Sequence, residues 1–275
     1  MSPTASPQPS CQRVSDGAGT YSTEIVFTGV DADTLRAAGI GYKVTTPYQG
    51  VLVTSNGRRI LVDAGLGEGA ALTGGTGGRL VGELRAMGVE PAEIDEVIIS
   101  HAHADHIGGA ITNGEPTFAR ARYHLSRAER DFWLGPAPQE RLFAPLADAL
   151  VATARSKIQA LDDAGLLDIC EPGTEVASGV RLLDAPGHTP GHVAVEIGTG
   201  DDTFLYVADA FLHELQLDHP EWTSVLDTDA ADTVATRRRL LDRAVERGAL
   251  VAAWHVGRAG RVARAGSAYR FEPES

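Results

Sequence analysis

The hexapeptide His101-Ala102-His103-Ala104-Asp105-His106 places three imidazoles and one carboxylate within six residues. It follows the apolar run Val97-Ile98-Ile99, which predicts a short buried strand. Side chains two positions apart in an extended chain point to the same side, so His101 and His103 can reach one metal ion together. The chain then turns, and Asp105 and His106 face the same region from another angle. Imidazole and carboxylate ligands suit Zn²⁺ or a similar borderline cation.

Further candidate ligands lie downstream, in or next to the ends of predicted strands. The stretch Pro186-Gly187-His188-Thr189-Pro190-Gly191-His192 lies between two predicted strands. Asp209 follows the predicted strand 204–208, and His255 follows the predicted strand 250–254. Taken singly, Asp209 or His255 is more often a satisfied polar group at a strand edge. Strand ends hold side chains rigidly, however, as a metal site requires, and the whole pattern predicts a metal centre.

The composition excludes several other kinds of protein. The chain has 275 residues and a net charge of 24 − 37 = −13, which argues against binding to a nucleic-acid backbone or to an anionic membrane. Two cysteines, Cys11 and Cys170, exclude a disulfide framework and a cysteine-based zinc site. No apolar run reaches the roughly 18 residues of a membrane span, and the first 20 residues do not resemble a secretory signal. We therefore expect a cytoplasmic protein with neither nucleic acid nor membrane as a partner.

Strand-like and helix-like segments alternate along most of the chain. Residues 1–20 are rich in Pro, Ser and Gly and are predicted to be a disordered tail, with structure starting near Tyr21 in a strand-like run over 24–30. Ser55-Asn56-Gly57 predicts a hairpin between two strands. No linker interrupts residues 21–275, which we interpret as a single domain.

A helical segment over residues 126–168 is expected near the metal centre. Ser126-Arg127-Ala128-Glu129 has the form of a capping box that opens a helix. Two interpretations of the apolar side chains in this segment remain open. The side chains line a pocket over the metals, or they pack the helices onto the sheet. These side chains are Phe132, Trp133, Leu134, Phe143 and Leu146.

In this order, the motifs make the sequence similar to the metallo-β-lactamase superfamily. The resemblance covers roughly residues 24–258 and includes Leu61-Val62-Asp63-Ala64-Gly65, the hexapeptide, the stretch 187–192, Asp209 and His255. It implies an α/β fold in which two sheets are covered by helices, a four-layer αββα sandwich with the metals at one edge between the sheets.

The resemblance also implies two divalent metal ions, most simply Zn²⁺, with Mn, Fe or Co left open. Asp209 would bridge the two ions. Asp63 would steady the hexapeptide loop, and His192 is expected to support the site without binding metal. The ligands implied for the first ion are His101, His103 and His188, and those for the second ion are Asp105, His106 and His255.

The implied chemistry is hydrolysis by a hydroxide held between the metals, with Asp105 hydrogen-bonding the nucleophile or shuttling its proton. Within the superfamily the chain looks like the branch of quorum-quenching lactonases and methyl parathion hydrolase. Some of those lactonases place a Tyr three residues after the bridging Asp, where this chain has Leu212. His213 is the nearest polar candidate for that catalytic role, although a structural histidine at the rim is an equal alternative.

The expected substrate is a small molecule with an apolar acyl or aryl part, namely a lactone such as an acyl-homoserine lactone, an aryl ester or a phosphotriester. Two alternatives remain. One is a mononuclear iron dioxygenase of the persulfide type, which resembles the same scaffold. The other is a thioesterase or cyclase that acts on a biosynthetic intermediate. The sequence leaves the oligomeric state open, with a homodimer as one possibility.

Overall fold

Two β-sheets face each other in the computed structural model, which describes residues 8–68 and 76–274. The strands in chain order are β1 (Ser10–Ser22), β2 (Lys43–Ser55), β3 (Arg58–Val62), β4 (Glu96–Ile98), β5 (Ile111–Thr112), β6 (Glu115–Pro116), β7 (Arg122–Ser126), β8 (Leu167–Cys170), β9 (Glu175–Ala177), β10 (Val180–Asp184), β11 (Val193–Ile197), β12 (Phe204–Tyr206), β13 (Leu250–Ala252), β14 (Gly260–Ala265) and β15 (Ala268–Pro273). The helices are α1 (Thr23–Val26), α2 (Ala32–Ala37), α3 (Leu80–Ala86), α4 (Ala104–Ile107), α5 (Arg127–Leu134), α6 (Ala144–Asp163), α7 (Leu215–Asp218) and α8 (Ala230–Arg247).

The order of the strands differs between the two sheets. Within the described ranges, the first sheet has the order β1-β2-β3-β4-β7-β8, and the second has the order β15-β14-β13-β12-β11-β10-β9. The predicted hairpin is confirmed, because β2 and β3 pair antiparallel around Asn56 and Gly57, both of which have positive φ angles. From β3 to β8 the first sheet is parallel, so the strands of this part end at the same edge.

Apolar side chains from both sheets form one continuous core. Val51 and Ile60 of the first sheet belong to the same buried cluster as Val195 of the second, and α6 adds Val151 and Ile158 to it. On the far side of the second sheet, α8 packs onto a separate cluster. These layers confirm the expected four-layer αββα sandwich. No helix in the described ranges is both long and apolar enough to cross a membrane.

The prediction of a disordered tail is wrong for residues 10–20. They form most of β1, which pairs with β2 from Ser10 opposite Thr54 to Ser22 opposite Lys43. The residues of β1 have a low intrinsic preference for β-structure, and pairing with the long strand β2 stabilises them. The buried carboxylate of Asp16 also stabilises the strand, because it accepts hydrogen bonds from the backbone N–H groups of Leu66 and Leu80.

Two further expectations change at the amino-terminal end of the chain. The prediction of a strand over 24–30 is wrong, because the chain forms helix α1 in its first part and a single isolated β-bridge, between Thr28 and Thr223, in the rest. The part of the predicted tail over residues 1–7 lies outside the described residues. That residues 21–275 form one domain stays a prediction.

Candidate metal centre

The candidate ligands gather where strands of both sheets end at one edge. β10 and β12 each pair antiparallel with β11, and β13 is parallel to β12, so β10, β12 and β13 run in the same direction. His188, Asp209 and His255 follow the carboxyl ends of these three strands. From the other sheet, the hexapeptide follows β4, and its second half forms α4.

Three histidines form the first group of candidate ligands. Nδ1 of His103 lies 3.0 Å from Nε2 of His101 and 3.0 Å from Nε2 of His188. A Zn–N bond is about 2.0–2.1 Å long, so two nitrogens on one tetrahedral zinc lie roughly 3.3 Å apart. The three nitrogens therefore have nearly the spacing of ligands on a single ion.

The second group joins two histidines and two carboxylates. Nε2 of His255 lies 3.4 Å from Asp105 Oδ2 and 3.2 Å from Asp209 Oδ2. Nε2 of His106 lies 3.2 Å from Asp209 Oδ1 and 3.7 Å from Asp105 Oδ2. Within the described ranges, the potential ligand atoms of each group all lie within 4.8 Å of one another.

The carboxylate of Asp209 belongs to both groups. Its Oδ2 atom lies 3.5 Å from His188 Nε2 and 3.8 Å from His101 Nε2, in addition to its contact with the second group. This is the position that a bridging ligand would take between two ions.

Unpaired buried atoms at the centre fit metal ligation. In the described part of the chain, Nε2 of His106 and Oδ1 of Asp209 are buried and, although they lie 3.2 Å apart, form no hydrogen bond with each other or with another group. Buried polar atoms are rarely left unpaired, because the lost hydration is not repaid. A cation held by these atoms would satisfy both of them, so the residues present fit a two-metal centre.

The family model of the metallo-beta-lactamase superfamily matches residues 47–254. The chain belongs to the metallo-beta-lactamase superfamily. The match includes every candidate ligand except His255, which follows immediately after it.

Known proteins resemble the chain to different extents. An N-acyl homoserine lactonase of a Bacillus species is 31% identical over 123 residues, which are 44% of this chain and 40% of that protein. A probable metallo-hydrolase of Mycobacterium tuberculosis is 28% identical over 141 residues, or 50% of this chain and 43% of that protein. Each match thus spans less than half of the relative's length. The solved structure of AidC, a dizinc quorum-quenching lactonase in complex with a product, has a TM-score of 0.87 at 22% identity and covers 99% of this chain and 96% of its own, which shows a shared fold.

Asp63 and His192, the two supporting residues predicted from the sequence, both contact candidate ligands. Asp63 has a φ angle of +65°, rare for a residue other than glycine, and its Oδ2 atom lies 2.9 Å from Nδ1 of His106. His192 accepts a hydrogen bond at Nε2 from the backbone N–H of Asp209, while its Nδ1 donates to the carbonyl of Ala185. Both ring nitrogens of His192 are therefore used within the protein.

Two supporting residues were not predicted from the sequence. Asp227 lies 3.0 Å from Nδ1 of His188, and Thr46 lies 3.1 Å from Nδ1 of His255. Such partners fix the ring orientation and leave Nε2 free for a metal. Asp227 shortly precedes α8, and a carboxylate at such a position suggests a helix cap and nothing more. Thr46 lies within β2 and belongs to no recognisable motif. No local signal in the sequence identifies either residue.

Burial and charge divide the histidines into two classes. Burial and the neighbouring imidazoles lower the pKa of His101 well below its ordinary value and that of His103 to about 3. Burial acts in the same direction on His106 and His255, but nearby carboxylates, Asp209 first among them, outweigh it. They raise the pKa of His106 well above its usual value and that of His255 to about 9. His101 and His103 thus present neutral imidazoles at pH 7, whereas a metal at the second group must displace protons from His106 and His255.

An apolar cavity of about 320 Å³ opens onto both groups. No lysine or arginine lines it within the described ranges. Of the five apolar side chains over residues 126–168 that could line a pocket over the metals, only Leu146 lines this cavity. Trp133 is instead fully buried, with its ring edge-on to His103. The apolar part of the lining consists of Ile25, Val26, Leu66, Ala104, Leu146, Ala149, Leu150, Leu212 and Leu226.

The structure does not support a catalytic position for His213. The residue is not among those that line the cavity. Its ring packs edge-on against Phe27 at a centroid distance of 5.2 Å, and its Nδ1 accepts a hydrogen bond from the backbone N–H of Leu215. Burial lowers its pKa. These contacts turn the ring towards the protein, so the structural alternative fits better. Tyr21, next to the carboxyl end of β1, does line the cavity.

Proposed function

We propose that the protein is a two-metal hydrolase that opens lactones or cleaves esters with an apolar acyl or aryl part. The observation that carries the proposal is the shared carboxylate of Asp209, which lies between two ligand groups at the base of an apolar cavity. Zn²⁺ is the simplest metal for these ligands, and AidC supports it as a dizinc enzyme of the same fold.

Two divalent ions would polarise the carbonyl of the substrate and bring the pKa of a coordinated water towards about 7. The chain's own contribution is orientation and proton handling. Burial raises the pKa of Asp105, but His106 and His255 outweigh it and bring that pKa to about 2. Asp105 is thus ionised in the metal-free protein and lines the cavity, where it would accept a hydrogen bond from the nucleophile or shuttle its proton.

The lining of the cavity favours a neutral substrate with an apolar chain or ring. An anionic substrate such as a phosphomonoester would find no lysine or arginine side chain there within the described ranges. A second complete ligand group also favours the two-metal enzyme over the mononuclear iron alternative. A thioesterase or cyclase would use the same centre and differs only in substrate.

The test is metal analysis combined with a hydrolysis screen of metal-loaded protein. The panel contains acyl-homoserine lactones, simple lactones, aryl esters, thioesters and aryl phosphotriesters. We expect two metal ions per chain and, for Asp209→Asn, loss of at least one ion and a fall in activity of at least ~100-fold, larger than that of outer-shell variants. Asp168→Asn, which removes a surface partner of Arg122, is the matched control. One iron per chain with oxygen uptake, or full activity in Asp209→Asn, would contradict the proposal.

A further inference from the structure

Glu129 is a buried carboxylate that accepts four hydrogen bonds close to the metal centre. One oxygen accepts from the backbone N–H of Ala102 at 2.8 Å and from the indole N–H of Trp133 at 2.6 Å. The other accepts from the hydroxyl of Thr189 at 2.6 Å and from the backbone N–H of Gly191 at 3.2 Å. The predicted capping box is thus only half formed, because Ser126 caps the helix while the Glu129 side chain turns away to these partners.

Three of the four partners of Glu129 belong to the two loops that carry the first ligand group. Ala102 lies between His101 and His103, and Thr189 directly follows His188. Trp133 touches His103 with its ring, at a centroid distance of 5.6 Å. A single side chain therefore joins two segments that are more than 80 residues apart in the sequence and that must meet around one ion.

The start of α5 is built to bring Glu129 this close. A Cβ atom at Gly191 would lie 1.9 Å from the backbone nitrogen of Glu129, so only glycine permits the approach. Ser126 secures the same contact, because its hydroxyl donates to the carbonyl of Gly191 at 2.5 Å and accepts from the N–H of Glu129.

We propose that Glu129 is a positioning residue that sets the affinity of the first metal by holding its two ligand loops together. The proposal rests on the two-metal centre proposed above. It concerns the first group above all, since Ala102 and Thr189 directly adjoin His101, His103 and His188. In the second group, Asp105 and His106 lie on α4, and His255 follows a separate strand end.

Glu129→Gln is the informative variant because it keeps the shape of the side chain. The N–H groups of Ala102, Trp133 and Gly191 can only donate. An amide must turn its NH₂ towards one pair of donors, and the pair with Thr189 and Gly191 is the less costly because the hydroxyl can accept. The N–H of Gly191 then loses its partner, and the loop that carries His188 loosens.

The experiment measures stepwise zinc dissociation constants by competition with a chelator. Outer-shell changes weaken metal affinity by about 10- to 100-fold, and we expect Glu129→Gln to weaken one step by this factor while the other changes less than about threefold. Repeating the change with His255→Gln, which removes a ligand of the second group, should show the loss in the site that remains. Thr189→Val tests the same contact more gently, and its effect should not add to that of Glu129→Gln.

Glu96→Gln is the matched control, a buried carboxylate bound to His124 and Arg58 five residues before His101. We expect both dissociation constants to stay within about threefold of the wild type in this variant. An equal loss in Glu96→Gln, or unchanged affinities in both Glu129→Gln and Thr189→Val, would overturn the role of Glu129. Wild-type protein that binds no zinc would instead refute the proposed two-metal function.

Discussion

The carboxylate of Asp227 lies 3.0 Å from Nδ1 of His188 and fixes the ring with Nε2 turned towards the candidate metal centre. Behind it, Nη2 of the fully buried Arg237 lies 4.0 Å from the other carboxylate oxygen. The guanidinium also donates to the carbonyls of Ala210, Pro220 and Trp222. A buried cation of this kind requires such partners, and here they tie α8 to the orientation of a ligand.

Asp227→Asn should weaken binding of the first metal by about 10- to 100-fold, because the amide no longer gives His188 a charged acceptor. The check is a zinc dissociation constant measured by chelator competition, together with the metal content after dialysis. Asp232→Asn, which changes an exposed carboxylate in the first turn of α8, should leave both quantities unchanged. Equal affinities in Asp227→Asn and the wild type would show that Asp227 does not act on the ligand.

The ligands could be predicted from the sequence because each lies in a short motif or directly after a strand. The supporting residues could not. Asp227 and Thr46 are far from their histidines in the sequence, and the contacts exist only after the sheets have packed. Glu129 carries a misleading local signal, since its spacing from Ser126 suggests a capping box. Arg237 shares the buried face of α8 with Leu240 and Leu241, three and four residues further on, but its partners come from distant parts of the chain that the sequence does not reveal.

The amino-terminal strand was missed for a related reason. Its Pro-, Ser- and Gly-rich composition indicates disorder, yet β2 supplies a long template for pairing. Asp16, although its side chain is charged, is among the most buried residues of β1. Local propensity is a weak guide when the partner strand and the buried hydrogen bonds come from elsewhere in the fold.

Removing residues 1–20 should therefore unfold the protein or greatly destabilise it, because the deletion takes away most of β1 and the cavity residue Thr20. A milder variant, Asp16→Asn, replaces one acceptor oxygen with an NH₂ group that faces backbone N–H donors, and it should cost about 1–3 kcal/mol. At roughly 2–4 °C per kcal/mol, thermal unfolding would resolve this. Gln12→Ala, exposed on the same strand, should have almost no effect. A truncated protein with wild-type melting temperature would contradict the placement of β1.

Metal-free protein should lose stability as the pH rises from about 6.5 to 9. The pKa of His255 is raised to about 9 in the folded protein, so its protonation stabilises the fold fully below the unfolded value of about 6.5. That contribution disappears as the pH passes the folded value. The measurement compares chelator-treated wild type with His255→Gln at pH 6.5 and 9. The melting temperature of the wild type should fall more than that of the variant, and parallel curves would contradict the raised pKa.

Ala149→Phe should narrow the apolar cavity from its α6 side and so discriminate between substrates by chain length. Ala149 lines the cavity, whereas Ala152, exposed on the same helix, does not. We expect the KM for a long-chain acyl lactone or ester to rise by about tenfold and that for an acetyl ester to change less than about twofold, because the added ring occupies space that only the longer chain needs. Ala152→Phe should leave both values unchanged. The metal content of Ala149→Phe, measured in parallel, should equal that of the wild type. Equal changes in KM for the two substrates in this variant would place the acyl chain outside the cavity.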